Sequence, residues 1–363
     1  MFDTFDTLPL RIDALPIPVA IDAPDAVGLL AAADIITASG RHDSGTDLFD
    51  VEPAEWLAAL RATEYTVREA RIARDGDRIA GVLLFEYQRD GDKNASAGVF
   101  VRPEDRGRGI EDALLDEAER LAHEHGRSVL HSWNLTRADH PGERLVSPTG
   151  IGSIPSDADT TRLLQRHGYT LGQVERVSMF DFAASLGHAQ RMLDAALAKA
   201  GGDYRPVWWQ SPAPDEHVDG YAYAVSRMAT DVPSGELEWE EETWDAARIR
   251  YREKLKADAG QIMAVAAVVH VPTGAIAAFN ELVIGRDRGR RAENYGTLVL
   301  PEHRGHRLGT IVKCLGLIRW HELVPASPSV MTFNAEENRY MLDVNEAVGF
   351  RPVGASGEWK KEL

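Results

Sequence analysis

Cysteine is nearly absent: Cys314 is the one thiol in 363 residues. No intrachain disulfide can form, and nothing in the cysteine usage points to an oxidising compartment. Basic residues are also few, 40 Lys and Arg against 57 Asp and Glu, for a formal net charge of −17. That balance serves solubility, disfavours nucleic acid and anionic membranes as partners, and is compatible with a cationic substrate. Long apolar runs are missing too. The longest, 262–271, contains His270 and stops at Pro272, too short to cross a bilayer. The first residues, Met1-Phe2-Asp3-Thr4-Phe5-Asp6, are acidic and lack a secretory basic region, so a cytoplasmic protein is expected. His303 and His306 have no acidic or sulfur partner at ligand spacing, so no metal site is expected.

What is present is ordinary for a folded chain, 44% apolar and 27% charged, at a length that fits two domains. One feature occurs twice. Val101-Arg102-Pro103-Glu104-Asp105-Arg106-Gly107-Arg108-Gly109-Ile110 returns as Val299-Leu300-Pro301-Glu302-His303-Arg304-Gly305-His306-Arg307-Leu308-Gly309. Each copy follows a strand-like run and opens a helix-like one. Strand, short Arg/Gly turn and helix point backbone N–H groups at an anion.

The flanking pattern repeats as well. In the first half a strand over 11–15 and helices over 25–39 and 53–61 are predicted, then strands over 65–73, 79–87 and 95–101. A helix over 110–125 follows, with Leu114, Leu115, Ala118 and Leu121 at helical spacing. A strand over 128–133, a helix over 160–167 capped by Gly168 and a strand over 174–182 complete the half. A connecting helix over 183–200 ends at Gly201-Gly202. The second half predicts a strand at 207–209 and helices at 215–230 and 240–255. A hairpin of 261–271 with 275–284 comes next, then a strand at 293–300 and a helix at 308–323. A strand at 330–334, a helix at 337–348 capped by Gly349 and a terminal strand pair or ribbon finish it. The first half carries about 17 extra residues within 136–156, in ordinary turn chemistry.

The Arg-x-x-Gly-x-Gly/Ala turn, the order of elements around it and the later helix ending in Gly-Tyr or Gly-Phe resemble the GNAT superfamily of N-acetyltransferases. The run from Thr297-Leu298-Val299-Leu300 through Asn338-Arg339-Tyr340-Met341 to Asn345-Glu346-Ala347-Val348-Gly349-Phe350 resembles tandem proteins of high-GC actinobacteria. The resemblance covers nearly the whole chain. It implies an α/β (α+β) fold of two tandem domains, each a mixed, mostly antiparallel sheet flanked by helices. A GNAT-like domain over 1–182, degenerate, a connecting helix over 183–202 and a catalytic domain over 203–363 are the expected divisions.

It also implies acetyl transfer from acetyl-CoA to a primary amine of a small molecule or peptide, without metal. The copies of the turn differ. The first has Glu111 where Gly or Ala is usual, and a carboxylate there competes with phosphate. The second has Arg307 in place of a glycine, a gain for phosphate binding if its φ is negative. By resemblance, acetyl-CoA is held by Leu298, Val299, Leu300, Arg304, Gly305, His306, Arg307, Leu308, Gly309, Thr310, Asn334 and Asn338. The general base is Glu293 or Glu281. Alternation puts Glu293 on one strand face with Tyr295, Thr297 and Val299, and Glu281 lies in an apolar run that favours a raised pKa. The family's Tyr acid is replaced by Asn345, which can orient water or bond the sulfur. The first half has Ala95, Asp157 and Leu164 in place of Glu293, Asn338 and Asn345. Trp208, Trp209, Trp239 and Trp244 are read as core or interface, with an acceptor-pocket role left open. Cys314 is read as packing. A non-enzymatic acyl-CoA-binding or scaffold protein, with both acceptor sites inactive, is the alternative to catalysis.

Overall fold

The computed structural model describes residues 10–61, 63–91, 93–137, 139–237 and 242–363. The first half runs β1 (Arg11–Ala14), α1 (Val27–Ser44), α2 (Pro53–Leu60), β2 (Thr66–Asp75), β3 (Arg78–Gln88), β4 (Asn94–Val101), α3 (Ile110–Glu124) and β5 (Val129–Arg137). A small hairpin, β6 (Arg144–Val146) and β7 (Ser153–Pro155), occupies the long connection, before α4 (Asp159–Arg166) and β8 (Thr170–Asp181). Next come α5 (Phe182–Ala200), β9 (Tyr204–Gln210), α6 (Asp215–Ser226), α7 (Met228–Asp231), α8 (Ala246–Asp258), β10 (Ile262–His270), β11 (Ile276–Ile284) and β12 (Ala292–Val299). The chain ends with α9 (Leu308–Leu323), β13 (Ser329–Ala335), α10 (Arg339–Val348) and β14 (Arg351–Glu362).

These elements form two compact units. The first holds 1–174, 235–237 and 354–363; the second holds 175–234 and 238–353. The expected divisions ran at 182 and 202, so two strands are grouped differently. Residues 175–181 of β8 pair antiparallel with β13 in the second unit, Glu175 opposite Ala335. Residues 354–362 of β14 pair antiparallel with β5 in the first unit, so the chain ends in one strand and not in a ribbon. Trp359 explains its placement: it lies in the first unit's core, and its indole N–H donates to Asn134 Oδ1 at 2.7 Å. Helix α5 packs Leu193 and Ala196 into the second unit's core.

Each unit is a mixed, mostly antiparallel sheet with helices on both faces. In the first, α3 covers one face with Leu114, Leu115 and Leu121, and α1 and α2 cover the other with Leu29, Ile35 and Trp56. In the second, α5 and α9 cover one face, and α6 and α8 the other with Tyr221, Val225 and Ile249. Helix α8 starts later than the predicted 240–255, because Asp245 accepts the Arg248 N–H at 2.8 Å as its N-cap. Residues 240 and 241 lie outside the described residues.

Each sheet has a short parallel pair. β4 and β5 pair at three positions, ending at Ser96 opposite His131. β12 and β13 pair only at Ala292–Val330 and Glu293–Met331. Past Glu293 they part, leaving an opening along β12. A bulge sharpens it: the β11–β12 register shifts between Asn280 and Leu282, whereas β3–β4 keeps register throughout.

Glu281 holds that bulge. Its Oε2 accepts the Gly296 N–H at 3.2 Å, and its Oε1 accepts from the Tyr221 hydroxyl and, at 2.8 Å, from Arg252. The carboxylate is 4% exposed and the guanidinium side chain 19%. Arg252→Met strands a buried carboxylate, and a loss of about 3–5 kcal/mol is expected in urea unfolding. Arg252→Met with Glu281→Leu should lose less than the single change, because no charge is then left unpaired.

Candidate active site

The two Arg/Gly turns share one backbone and differ in what their side chains do. The residue before each helix is left-handed, Gly109 at φ 81° and Arg307 at φ 61°. Arg307 is the one non-glycine with positive φ among the described residues. The negative φ expected at Arg307 is therefore not found: the turn requires a left-handed residue there, and arginine adopts that conformation against a cost of about 1–2 kcal/mol.

In the first turn the cations are neutralised. Arg106 donates to Asp43 at 2.6 and 2.8 Å, and Arg108 donates to Asp75 at 2.7 Å and Asp105 at 2.9 Å. Glu111 Oε1 accepts the Gly107 N–H at 3.3 Å, so a carboxylate already sits on the turn. In the second turn Arg304 meets only the carbonyls of Val299 and Asp231, and neither Arg304 nor Arg307 pairs with a carboxylate among the described residues. The N–H groups from Gly305 to Thr310 have no protein acceptor among those residues. Arg304, Gly305, His306 and Arg307 are exposed, while Leu308, Gly309 and Thr310 are buried. His303 turns inward, its Nδ1 3.2 Å from the Tyr204 hydroxyl, and His306 packs its ring near the same tyrosine.

The turn leads into the β12–β13 opening. The Leu300 N–H bonds Ala277 O at 3.0 Å, so by antiparallel alternation Leu298 also faces β11 while the N–H groups of Thr297 and Val299 face the opening. The bulge alters which side chains share a face. Ala292 and Val299 both enter the core under α9, and Leu298 and Leu300 enter the opposite core. Glu293 thus does not share a face with Val299, as simple alternation had it; the inserted residue near Gly296 reverses the parity.

Beside the opening is a cavity of about 360 Å³ lined by Glu293, Tyr295, Thr297, Asn334, Asn338, Met228, Val232, Met331, Phe333 and Glu175, among others. Glu293 is half-exposed and ion-paired to Arg291 at 2.7 Å. Glu281 does not line the cavity, and its neighbours are Arg252 and Tyr221 and not the apolar pocket expected. Asn338 lines it while capping α10, its side chain accepting the Met341 N–H at 3.2 Å. Asn345 is buried and donates to Asn334 Oδ1 at 2.7 Å, and its own Oδ1 has no partner among the described residues. Trp208, Trp209 and Trp244 do not line this cavity; Trp239 lies outside the described residues.

Sequence reasoning missed two groups. Glu175 reaches the cavity from β8, and burial, with Glu337 nearby, pushes its carboxyl up to about 7. A strand assigned to the other half gave no signal for it. Lys313 is fully buried under α9, its ammonium donating to Asn294 Oδ1 at 2.8 Å. Asn294 and Asn280 in turn both donate to the Thr297 hydroxyl, at 3.1 and 2.9 Å. Burial pushes Cys314 up to about 12, as suits a packing thiol. The first unit's cavity, about 260 Å³, is lined by Trp56, Leu60, Phe85, Phe100 and Trp133 with Glu86. There Ser132 donates to Ala97 O at 2.8 Å, between β5 and β4 just past their last pair.

A sequence profile described as the Acetyltransferase (GNAT) family matches residues 34–145. No curated protein matches the chain. Among solved structures, a tandem GNAT protein from the clavulanic acid biosynthesis pathway, without AcCoA, is 24% identical. The match covers 98% of each chain, with a TM-score of 0.72. A GCN5-related N-acetyltransferase from Sphaerobacter thermophilus is 16% identical over 98% of this chain and 97% of its own, at TM-score 0.61. The chain has the tandem GNAT fold throughout, and residues 34–145 carry the family's sequence signature. The signature falls on the unit whose turn is closed by Glu111. No helix among the described residues is long and apolar enough to cross a membrane.

Two stability tests follow from this geometry. Arg307→Gly relieves the left-handed strain and should raise unfolding stability by about 1 kcal/mol in denaturant titration. Burial pushes Lys313 down to about 7 from 10.5. Its unfolded form binds the proton more tightly, so the burden is full below about 7 and lifts as pH rises toward 10.5. Lys313→Met should therefore exceed the parent in stability at neutral pH, with the difference shrinking as pH rises through that window.

Proposed function

We propose that the second unit transfers an acetyl group from acetyl-CoA to a primary amine by direct attack in a ternary complex. The observation that carries this is the turn from Gly305 to Thr310, with open N–H groups and two arginines free of carboxylates, leading to a cavity that bears carboxylates. Acetyl-CoA, as substrate, supplies the activated acyl carbon and a thiolate leaving group.

The N–H donors from Gly305 to Thr310, with Arg304 and Arg307, hold the pyrophosphate. The N–H groups of Thr297 and Val299, unpaired on the β13 side, polarise the thioester carbonyl. Asn334 and Asn338 line the channel beside it, and Asn345 fixes Asn334. Glu293, at the exposed side of the cavity, draws in and holds the ammonium of the acceptor. Glu281 acts through the bulge, by keeping β12 apart from β13. A thiol pKa of about 8.5 lets the leaving group depart with little help, so the missing Tyr acid is tolerable. The acceptor is a small-molecule or peptide amine, and the acidic lining suits a cationic one.

The first unit is a support in this reading. Its arginines are committed to Asp43, Asp75 and Asp105, Glu111 covers its turn, and Ala95 stands where Glu293 would be. A binding protein without turnover is the alternative, favoured by Asn345 in place of a proton donor.

Free-thiol release from acetyl-CoA with a panel of amines tests the activity. Turnover is expected, and Arg304→Ala with Arg307→Ala should raise the KM for acetyl-CoA at least about tenfold, since charged hydrogen bonds contribute about 1.5–3 kcal/mol each. Arg106→Ala with Arg108→Ala should leave that KM unchanged. Binding without turnover on any amine would support the binding-protein reading, and equal losses in both double variants would defeat the division between units.

A further inference from the structure

A primary amine near pKa 10.4 must lose a proton before it attacks, and at pH 7 only about one molecule in 2,500 has done so. Glu293 is poorly suited to take that proton: it is half-exposed and held by Arg291. Glu281 is committed to Arg252, Tyr221 and the Gly296 N–H. The remaining carboxylate on the cavity wall is Glu175.

Glu175 comes from the strand that lies antiparallel on β13, opposite Ala335, at the end of β13 where α10 begins. It lines the same cavity as Glu293, Asn334 and Asn338. No hydrogen bond or ion pair commits its carboxylate to another residue among those described. The cation next to it in the chain is spent elsewhere: Arg176 holds Glu336 at 2.7 Å and Glu346 at 2.7 Å. The charged group that acts on Glu175 is Glu337, at the β13–α10 junction, and Glu293 faces the cavity from β12. Among the described residues no lysine or arginine lines the cavity, while Met228, Val232, Met331, Phe333 and Met341 do.

We propose that Glu175 is the general base of the second unit, and that its cavity takes an amine with an apolar body, ammonium end first. This rests on the acetyl-transfer reading above. The ammonium proton passes to a Glu175 carboxylate oxygen. The freed nitrogen lone pair forms the C–N bond to the acetyl carbon, the C–S bond breaks, and its electron pair leaves on sulfur as the CoA thiolate. The second amine proton is lost to solvent from the product. A carboxyl whose pKa is lifted by burial and by Glu337 is a stronger base than a solvated one and is half-ionised near neutral pH.

The test is the pH profile of acetyl-CoA-dependent thiol release with 2-phenylethylamine and, for comparison, ethanolamine, on the full chain. The parent should prefer 2-phenylethylamine and lose kcat/KM on the acidic side through an inflection near 7. Glu175→Gln should lower kcat by about 10²–10⁴-fold, abolish that inflection and leave the KM for acetyl-CoA unchanged. Glu175→Asp should keep the inflection at reduced kcat, which separates a base from a merely structural residue and serves if the Gln variant does not fold. Glu293→Gln should raise the KM for the amine and keep the inflection. If the parent turns over and Glu175→Gln keeps both the inflection and a kcat within about threefold, the assignment to Glu175 is wrong and the transfer reading stands. If the parent binds acetyl-CoA but acetylates neither amine nor any other, the transfer reading fails and the base assignment fails with it.

Discussion

The second unit depends on two parallel strands that stop pairing. β12 and β13 share two residue pairs and then separate, and Glu281 keeps them apart by holding the Gly296 bulge against Arg252 and Tyr221. The separation turns the N–H groups of Thr297 and Val299 toward an opening instead of a neighbouring strand. Backbone donors left unpaired in a protein interior are costly, so an opening of this kind is retained where something else meets them. The turn after β12, with its open N–H groups, and the acidic cavity beside it give that opening its two ends. A buried ion pair that adds little net stability can still define a site in this way.

The duplication makes the first unit an internal control. Its turn is left-handed at the same positions, yet its arginines and one of its N–H groups have partners within the unit. Asp43 takes Arg106, Asp75 and Asp105 take Arg108, Glu111 takes the Gly107 N–H, and Ser132 bonds Ala97 O beside β4. The β3–β4 pair has no bulge. The family's sequence signature lies in this unit, whose turn carries a carboxylate of its own.

Much of this was legible in the sequence. The paired turns, the hairpins and the amphipathic helices announced two units of one architecture, and Glu111 announced the closed turn. The details that set the site were not. Alternation along 293–299 gave the wrong face for Glu293 because a one-residue bulge reverses parity and leaves no mark in composition. Glu281 read as a base in apolar surroundings, since Tyr221 and Arg252 are distant in the chain. The left-handed φ of Arg307 follows from the turn, where side-chain type suggested otherwise. Glu175 was hidden because the strand that closes one half in sequence belongs in part to the other in space. Lys313 read as one more residue of a helix whose buried face extends all round.

The central claim is that one turn of the pair receives acetyl-CoA and the other is closed. Titration calorimetry of the full chain with acetyl-CoA measures it most directly, as the number of sites per chain. The account predicts one site, abolished by Arg304→Ala with Arg307→Ala and untouched by Arg106→Ala with Arg108→Ala. Two equivalent sites, or one site lost only with the first pair of arginines, would contradict it.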